Sequence, residues 1–175
     1  PYRRDPDTLA RPWVVPGTPG HEHRIGGLEK EDVTGLVSYD GANHHRMVHL
    51  RAEKVARIAD DIPPAPLTGP ESGDVLVVGW GSTQGAIAAA VADLQAAGRA
   101  VAHLHLRHIH PLPRNVPAVI RAFRRVLVVE NNLGQLAMLL RSQFPLPILQ
   151  LNKIEGRPFL IREVRTGIEE ALNHD

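Results

Sequence analysis

One stretch of this sequence decides the fold: Asp74-Val75-Leu76-Val77-Val78-Gly79-Trp80. A continuous apolar run with β-branched residues predicts a strand that is buried on both faces. Working outward from it, we predict further strands over residues 100–106, 125–130 and 148–151, and helices over residues 83–97, 116–123, 134–143 and 161–172. Strands that alternate with helices indicate an α/β fold, with a mostly parallel sheet covered on both faces.

The sequence before this strand has a different character. Residues 1–45 are dense in Gly and Pro, which excludes a long helix or a central strand, yet Trp13, Ile25 and Tyr39 make them too apolar for a disordered tail. We therefore predict an ordered irregular arm over residues 1–45 and a connecting helix over residues 46–62, with its N-cap at Asn43. A Pro- and Gly-rich linker follows over residues 63–73, with a short edge strand near Leu67, before the α/β domain of residues 74–175.

Composition excludes several classes of function. The 175 residues suffice for one sizeable core, and a net charge of +1 argues against nucleic acid or anionic lipid as a partner. No cysteine is present, so this chain offers no disulfide, no thiol nucleophile and no thiolate for zinc or an iron–sulfur cluster. No apolar run approaches ~20 residues and no signal peptide is visible, so we expect a cytoplasmic protein. Because the chain begins at Pro1, we expect it to be cut from a larger polypeptide.

A glycine-rich turn, Gly79 to Gly85, follows the first strand. Such a turn at a helix N-terminus can hold a phosphate. However, Gln84 stands where a dinucleotide fingerprint requires Gly, and Arg107 and His108 stand where it requires an acid after the second strand. The pattern favours a tight turn with Ser82 or Thr83 as the helix N-cap. A free-standing nucleotide-binding module remains the alternative.

Ten histidines are the next candidates for chemistry. His103 and His105 point to one face of a strand, and His45 and His49 lie one helical turn apart, so either pair has a spacing that zinc could use. No Asp or Glu lies among residues 103–110 to complete a site, and we therefore predict no metal site, with a metal-binding module as an alternative. If the histidines of residues 103–110 lie at the carboxyl ends of strands, they line a crevice or an interface and titrate near neutral pH.

Polar residues also follow the third strand. Glu130, Asn131, Asn132 and Gln135 lie where open α/β sheets usually bind ligands, which makes them candidates for a crevice or an interface. A structural interpretation explains the same pattern: an Asn caps the next helix, and Glu130 accepts hydrogen bonds from its first N–H groups.

Read together, several stretches resemble the C-terminal part of the alpha subunit of 2-oxoacid:ferredoxin oxidoreductases, of the 2-oxoglutarate kind. They are residues 11–20 (RPWVVPGTPG), 23–30 (HRIGGLEK), 43–51 (NHHRMVHLR), 78–82 (VGWGS), 110–113 (HPLP) and 128–136 (VVENNLGQL). The resemblance implies a three-layer domain similar to the transketolase C-terminal domain. Its sheet is mixed and five-stranded, with one antiparallel edge strand near residues 65–68.

The resemblance also implies a function. Enzymes of this family decarboxylate a 2-oxoacid on thiamine diphosphate, pass electrons through an iron–sulfur cluster to ferredoxin and release an acyl-CoA. The diphosphate, Mg²⁺ and the cluster are held mainly by the beta subunit, and the pyrimidine end by an upstream alpha-subunit domain. We therefore carry over no catalytic residue and expect this chain alone to be inactive.

The role that we expect is packing and assembly. The expected partners are the upstream alpha-subunit domain, the beta subunit and a symmetry-related alpha subunit, with ferredoxin reached through the whole complex. In the arm, His23 and Arg24 are interface candidates. In the α/β domain, the crevice or interface candidates are His110, Glu130, Asn131, Asn132 and Gln135.

Overall fold

A computed structural model of the protein describes residues 2–174. They belong to two compact units, one that extends to Asp61 and one that begins at Ile62. The helices are α1 Gly41–Arg57, α2 Gln84–Ala96, α3 Val116–Arg121, α4 Gln135–Gln143 and α5 Ile161–Asn173. The strands are β1 Leu67–Thr68, β2 Gly73–Trp80, β3 Val101–Leu106, β4 Phe123–Glu130 and β5 Ile148–Asn152.

The second unit is built on one five-stranded sheet with the order β1-β3-β2-β4-β5. Strands β2 to β5 pair in parallel, and β1 pairs antiparallel with β3, so that Leu67 lies opposite Leu104. The predicted α/β class, the mostly parallel sheet and the antiparallel edge strand are confirmed. Strand β2 lies at the centre of the sheet, as expected for the apolar run that predicted it.

Helices cover both faces of this sheet and give two cores. Leu76 and Val78 of β2 pack in one core with residues of α3 and α4, whereas Val75 and Val77 pack in the other with residues of α2 and α5. Because neighbouring residues of a strand point to opposite faces, β2 contributes to both cores. The three-layer arrangement follows from this alternation.

The first unit, up to Asp61, is held together mainly by polar contacts. Its irregular arm contains one isolated bridge, between Lys30 and Val37. Among the described residues of this unit, Met47 and Ala59 are the buried ones. The carboxylates of Asp32 and Glu29 instead connect the arm to α1 through ion pairs.

The predicted N-cap of the first helix is wrong. The helix α1 begins at Gly41, because Asp40 accepts hydrogen bonds from the N–H groups of Ala42 and Asn43, while the Asn43 side chain donates to the carbonyl of Lys30. The helix therefore begins before the predicted residue 46 and ends at Arg57, and a 3-10 turn at Ile58–Asp60 follows it.

The N-cap of α2 lies at Thr83, one of the two predicted positions, but the Thr83 side chain is used differently. A 3-10 turn at Gly81–Thr83 precedes this helix, and the Thr83 hydroxyl donates to the carbonyl of Trp80 at 3.0 Å. Thr83 has helical backbone geometry, and its side chain makes no capping hydrogen bond to the N–H groups of α2. None of the helices between residues 2 and 174 combines the length and apolar character needed to cross a bilayer.

Candidate functional site

The topology of the sheet places a crevice at the carboxyl ends of β2 and β4. Strand β3, which follows β2 along the chain, lies on one side of β2 in the sheet. Strand β4, which follows β3 through α3, lies on the other side of β2. The loops after β2 and β4 therefore lead to helices on opposite faces, α2 and α4. Ligands of open α/β sheets bind at such a switch point. The crevice here measures about 350 Å³ and is lined by Trp80, Gly81, Ser82, Thr83, Asn131 and Asn132.

Glu130, the last residue of β4, is completely buried and contacts two residues that line this crevice, Trp80 and Asn132. One carboxylate oxygen accepts a hydrogen bond from Ala137 N at 3.0 Å, and the other accepts from Leu136 N at 3.0 Å, Asn132 Nδ2 at 2.9 Å and Trp80 Nε1 at 3.3 Å. These contacts satisfy the first N–H groups of α4 and place a negative charge at its positive end. The helix-capping interpretation of Glu130 is confirmed.

Asn132 completes the same cap. Its Oδ1 accepts hydrogen bonds from Gly134 N at 2.7 Å and Gln135 N at 3.2 Å. Gly134 has a φ of 98°, a left-handed conformation that suits glycine. Both polar side chains, Glu130 and Asn132, are therefore committed to the turn from β4 into α4.

The two remaining candidates after β4 are exposed. Asn131 lines the crevice and donates from Nδ2 to the carbonyl of Arg157 at 3.5 Å, and Gln135 is the first residue of α4. The structure thus brings four of the predicted residues together at the end of β4. His110 is exposed in the loop after β3, and His23 and Arg24 belong to the first unit.

His23 and Arg24 contribute to the internal contacts of the arm. The His23 ring meets the edge of the Tyr2 ring at a centroid distance of 5.6 Å. The carbonyl of Arg24 accepts hydrogen bonds from the Tyr2 hydroxyl at 2.9 Å and from Lys30 Nζ. Both side chains remain exposed. Their assignment to an interface stays a prediction.

Trp80 is the residue that sequence reasoning missed. Its indole N–H donates to Glu130, so this side chain connects the loop after β2 with the cap of α4 across the crevice. A tryptophan at the end of a strand carries an N–H that needs an acceptor when the ring is partly buried. The sequence offered one signal for this contact, because Glu130 is an acid at the end of the neighbouring predicted strand.

His103 and His105 do not line the crevice. They lie on the same face of β3 as Val101, which packs in the core with residues of α2 and α5. Their side chains are only 4% and 7% exposed. Within residues 2–174, His103 Nε2 and His105 Nδ1 have no hydrogen-bond partner. Burial, with a smaller contribution from His105, lowers the pKa of His103 to about 4, and burial together with Arg107 lowers the pKa of His105. For this pair the expected titration near neutral pH is wrong, because both rings are desolvated.

The helix and loop histidines form no larger cluster. The rings of His45 and His49 lie 4.4 Å apart on exposed faces of α1. Within residues 2–174 no group of three or more histidine, aspartate or glutamate side chains could hold a metal ion.

Comparison with known proteins identifies relatives over nearly the whole chain. No protein-family model matches. The chain is 42% identical over 173 residues to the KorA subunit of 2-oxoglutarate oxidoreductase from Mycobacterium tuberculosis. It is 33% identical over 154 residues to the alpha subunit of 2-oxoacid:ferredoxin oxidoreductase 2 from Aeropyrum pernix. The chain is homologous to part of these alpha subunits.

The match to 2-oxoacid:ferredoxin oxidoreductases extends to three dimensions. The 2-oxoglutarate:ferredoxin oxidoreductase from Magnetococcus marinus, solved with 2-oxoglutarate, coenzyme A and succinyl-CoA bound, matches 98% of this chain with a TM-score of 0.87 and 28% identity. A split-gene transketolase matches with a TM-score of 0.51 and 22% identity, which shows the shared fold alone. The chain spans 26% and 24% of the two sequence relatives and 30% of the solved oxidoreductase chain.

Proposed function

We propose that this chain is a non-catalytic assembly domain in the alpha subunit of a thiamine-diphosphate-dependent 2-oxoglutarate:ferredoxin oxidoreductase that forms an acyl-CoA. Homology to the KorA subunit supports the enzyme family and the oxoacid. The chemistry of the crevice supports a non-catalytic role, because its buried acid, Glu130, has all its hydrogen bonds directed at the fold.

The observation that carries the proposal is a set of large apolar side chains exposed on an ordered arm. Trp13 is 98% exposed, Tyr39 is 89% exposed and Ile25 is 84% exposed. Exposed aromatic and aliphatic groups of this size on one segment are typical of a protein–protein interface. Their partners in this proposal are the upstream alpha-subunit domain, the beta subunit and a symmetry-related alpha subunit. Ferredoxin would bind the whole complex.

The polar contacts within the first unit hold the arm in one conformation, which reduces the entropy that the arm would lose on binding a partner. Asp32 and Glu29 hold the arm against α1, and the Tyr2 hydroxyl and Lys30 Nζ bond to the Arg24 carbonyl. A segment that already holds its bound conformation loses less entropy when a partner covers it. The arm is therefore suited to presenting Trp13 and Ile25 to another surface.

Thiamine diphosphate, Mg²⁺ and an iron–sulfur cluster belong to the proposed enzyme, but the residues of this chain do not suit them. A cluster is held by cysteine thiolates, and the sequence contains no cysteine. Magnesium needs carboxylate oxygens beside the diphosphate, whereas the crevice acid is a helix cap. We assign no ligand of these groups to this chain.

The assembly role is tested in the complete enzyme with Trp13→Ser. Removing an interface tryptophan typically costs about 2 kcal/mol or more, so we expect at least ~30-fold weaker subunit association and a matching loss of 2-oxoglutarate-dependent ferredoxin reduction at low enzyme concentration. Light scattering during size-exclusion chromatography measures the association. Met138→Ser, an exposed apolar residue on α4, is the matched control and should assemble normally. Normal assembly and turnover of Trp13→Ser would contradict the proposal.

A second candidate function, small-molecule binding, is favoured by the crevice itself. It lies at the topological switch point, and the side chain of the N-cap residue Thr83 leaves the N-terminal end of α2 beside it uncapped. A thermal-shift panel with NAD, coenzyme A, zinc, and thiamine diphosphate with Mg²⁺ separates the two functions. A shift with NAD that disappears in Ser82→Trp would favour a nucleotide-binding module. A shift with coenzyme A would add part of the acyl-acceptor site to the assembly domain.

A further inference from the structure

The first unit gathers three arginines around one carboxylate. Asp32 Oδ1 accepts a hydrogen bond from Arg4 Nε at 3.0 Å, and Asp32 Oδ2 accepts one from Arg46 Nη2 at 3.1 Å. Arg11 Nη2 donates to the Asp32 carbonyl at 3.1 Å and lies 3.8 Å from Oδ1. One negative charge thus faces three guanidinium groups.

The neighbouring acid Glu29 does not neutralise the excess positive charge around Asp32. Glu29 is engaged by Arg51 at 2.9 Å and His44 at 2.6 Å, and these hydrogen bonds lower the pKa of Glu29 to about 2. Lys30 Nζ and the Arg11 guanidinium lie 5.3 and 5.1 Å from the centre of the Tyr2 ring. The cluster therefore contains more positive than negative groups. Its cations are Arg4, Arg11, Lys30, Arg46 and Arg51, and its anions are Glu29 and Asp32.

This cluster also has hydrogen-bond donors without acceptors. Arg11 Nε is buried and has no hydrogen-bond partner among the described residues, and burial together with Arg4 lowers the pKa of the Arg11 guanidinium. Arg46 donates from Nη2 to Asp32, and its side chain is 66% exposed, so most of its five donors face solvent. A buried donor without an acceptor lowers stability, and so do like charges that lie close together. An anion bound at the accessible parts of Arg11 and Arg46 would offset the excess of positive charge.

We propose that Arg4, Arg11 and Arg46 around Asp32 form a binding site for a small oxyanion with at least two negative charges, a phosphate group or a dicarboxylate. Planar guanidinium groups bind such oxygens in a bidentate manner. The net positive charge left after Asp32 is counted matches a dianion. The site lies wholly in the first unit and does not depend on the proposed assembly role.

Isothermal titration of the 175-residue chain at low ionic strength tests the site, with inorganic pyrophosphate and succinate as probes. We expect one anion per chain, and a dissociation constant that rises about tenfold in Arg46→Gln, because one charge-assisted contact is lost. Arg46→Lys keeps the charge but loses the planar guanidinium with its paired N–H donors, so this variant should bind the anion with intermediate affinity. Binding of pyrophosphate alone identifies a phosphate site, and binding of succinate alone a dicarboxylate site.

The matched control is Arg165→Gln, since Arg165 also pairs with a single acid, Glu169 Oε1, at 3.0 Å on a helix surface. It should leave the affinity unchanged. The proposal is overturned if neither probe binds, or if Arg46→Gln binds as the parent chain does. Equal weakening by both variants would also overturn it, because it would indicate general charge screening.

Arginine side-chain NMR keeps the test independent of any folding defect in the variants. In the unaltered chain, pyrophosphate or succinate should move the Nε–Hε resonances of Arg11 and Arg46 while leaving that of Arg165 in place. Shifts confined to arginines outside the cluster would contradict the proposal.

Discussion

At the scale of single residues, Glu130 connects the two loops that border the crevice. Its carboxylate accepts hydrogen bonds from two backbone N–H groups of α4 and from the side chains of Asn132 and Trp80. All four partners are donors, and a carboxylate has only acceptor sites to offer them. The charge of Glu130 is therefore part of the fold.

Glu130→Gln should destabilise the protein by about 2–3 kcal/mol, because an amide N–H₂ would face backbone donors in a buried site. Urea unfolding of the 175-residue chain measures this change. Glu155→Gln, at an exposed loop acid, should change the free energy of unfolding by less than ~0.5 kcal/mol. Equal stabilities of the two variants would show that Glu130 is not a structural cap.

His103 should make the protein sensitive to acid. Its pKa falls from 6.5 in the unfolded chain to about 4 in the folded protein. Between these values the unfolded chain binds a proton that the folded protein does not. The free energy of unfolding is therefore unaffected above pH 6.5 and falls as the pH is lowered towards 4, by up to about 3 kcal/mol.

Urea unfolding between pH 7.5 and pH 4.5 tests this prediction with two variants. His103→Leu should lose less stability across the window than the parent chain, whereas His108→Leu, at an exposed histidine, should follow the parent. If the parent and His103→Leu lose the same stability, the pKa of His103 is not lowered by folding.

These residues also show what the sequence could predict. The cap formed by Glu130 was predictable, because it depends on the end of one strand and the start of the next helix. The burial of His103 was not, because it depends on which face of β3 enters the α2–α5 core. Trp80 was missed as a site residue because its acceptor lies fifty positions along the chain.

At the scale of elements, local patterns predicted the strands and helices, and errors fall at their ends. The continuous apolar run gave β2, and the alternation of elements gave the parallel order around it. The start of α1 was misplaced because Asp40 and Asn43 are both residue types that favour the N-cap position. In the structure it is the Asp40 side chain that accepts hydrogen bonds from the first N–H groups of the helix. At α2 the predicted N-cap position, Thr83, is correct, but within the preceding 3-10 turn its hydroxyl donates to the carbonyl of Trp80 instead of capping the helix.

Gly134 and Gly85 allow a paired test of the helix starts. Gly134→Ala should destabilise the protein by about 1–3 kcal/mol, since φ is 98° and an added Cβ would lie 2.6 Å from Gln150 Oε1. Gly85→Ala, with open space around it in α2, should be neutral or stabilise by up to about 1 kcal/mol. Thermal unfolding distinguishes the two, and a stable Gly134→Ala would mean that the turn after β4 tolerates another backbone conformation.

At the scale of the whole molecule, the two units differ in how they are stabilised. Both apolar cores consist of residues from Ala65 onward. The unit before Ile62 depends instead on ion pairs and exposes Trp13, Ile25 and Tyr39. The second unit therefore has the properties of an independent domain, and in the proposed assembly role the first unit is completed by a partner.

Residues 62–175 alone should fold and unfold cooperatively in urea, because both faces of the sheet keep their helices. Residues 1–61 alone should show little cooperative unfolding by circular dichroism, since Met47 and Ala59 provide almost no core. A cooperative transition in residues 1–61 would contradict this division of stability.

The measurement that tests the assembly role most directly is hydrogen–deuterium exchange of residues 11–39, compared between the complete enzyme and the 175-residue chain. If the arm is covered by neighbouring domains, its amides should exchange at least tenfold more slowly in the complete enzyme, while the amides of β2 stay equally protected in both. Equal exchange of the arm in the two samples would mean that it stays exposed in the assembled protein, and it would contradict the assembly role.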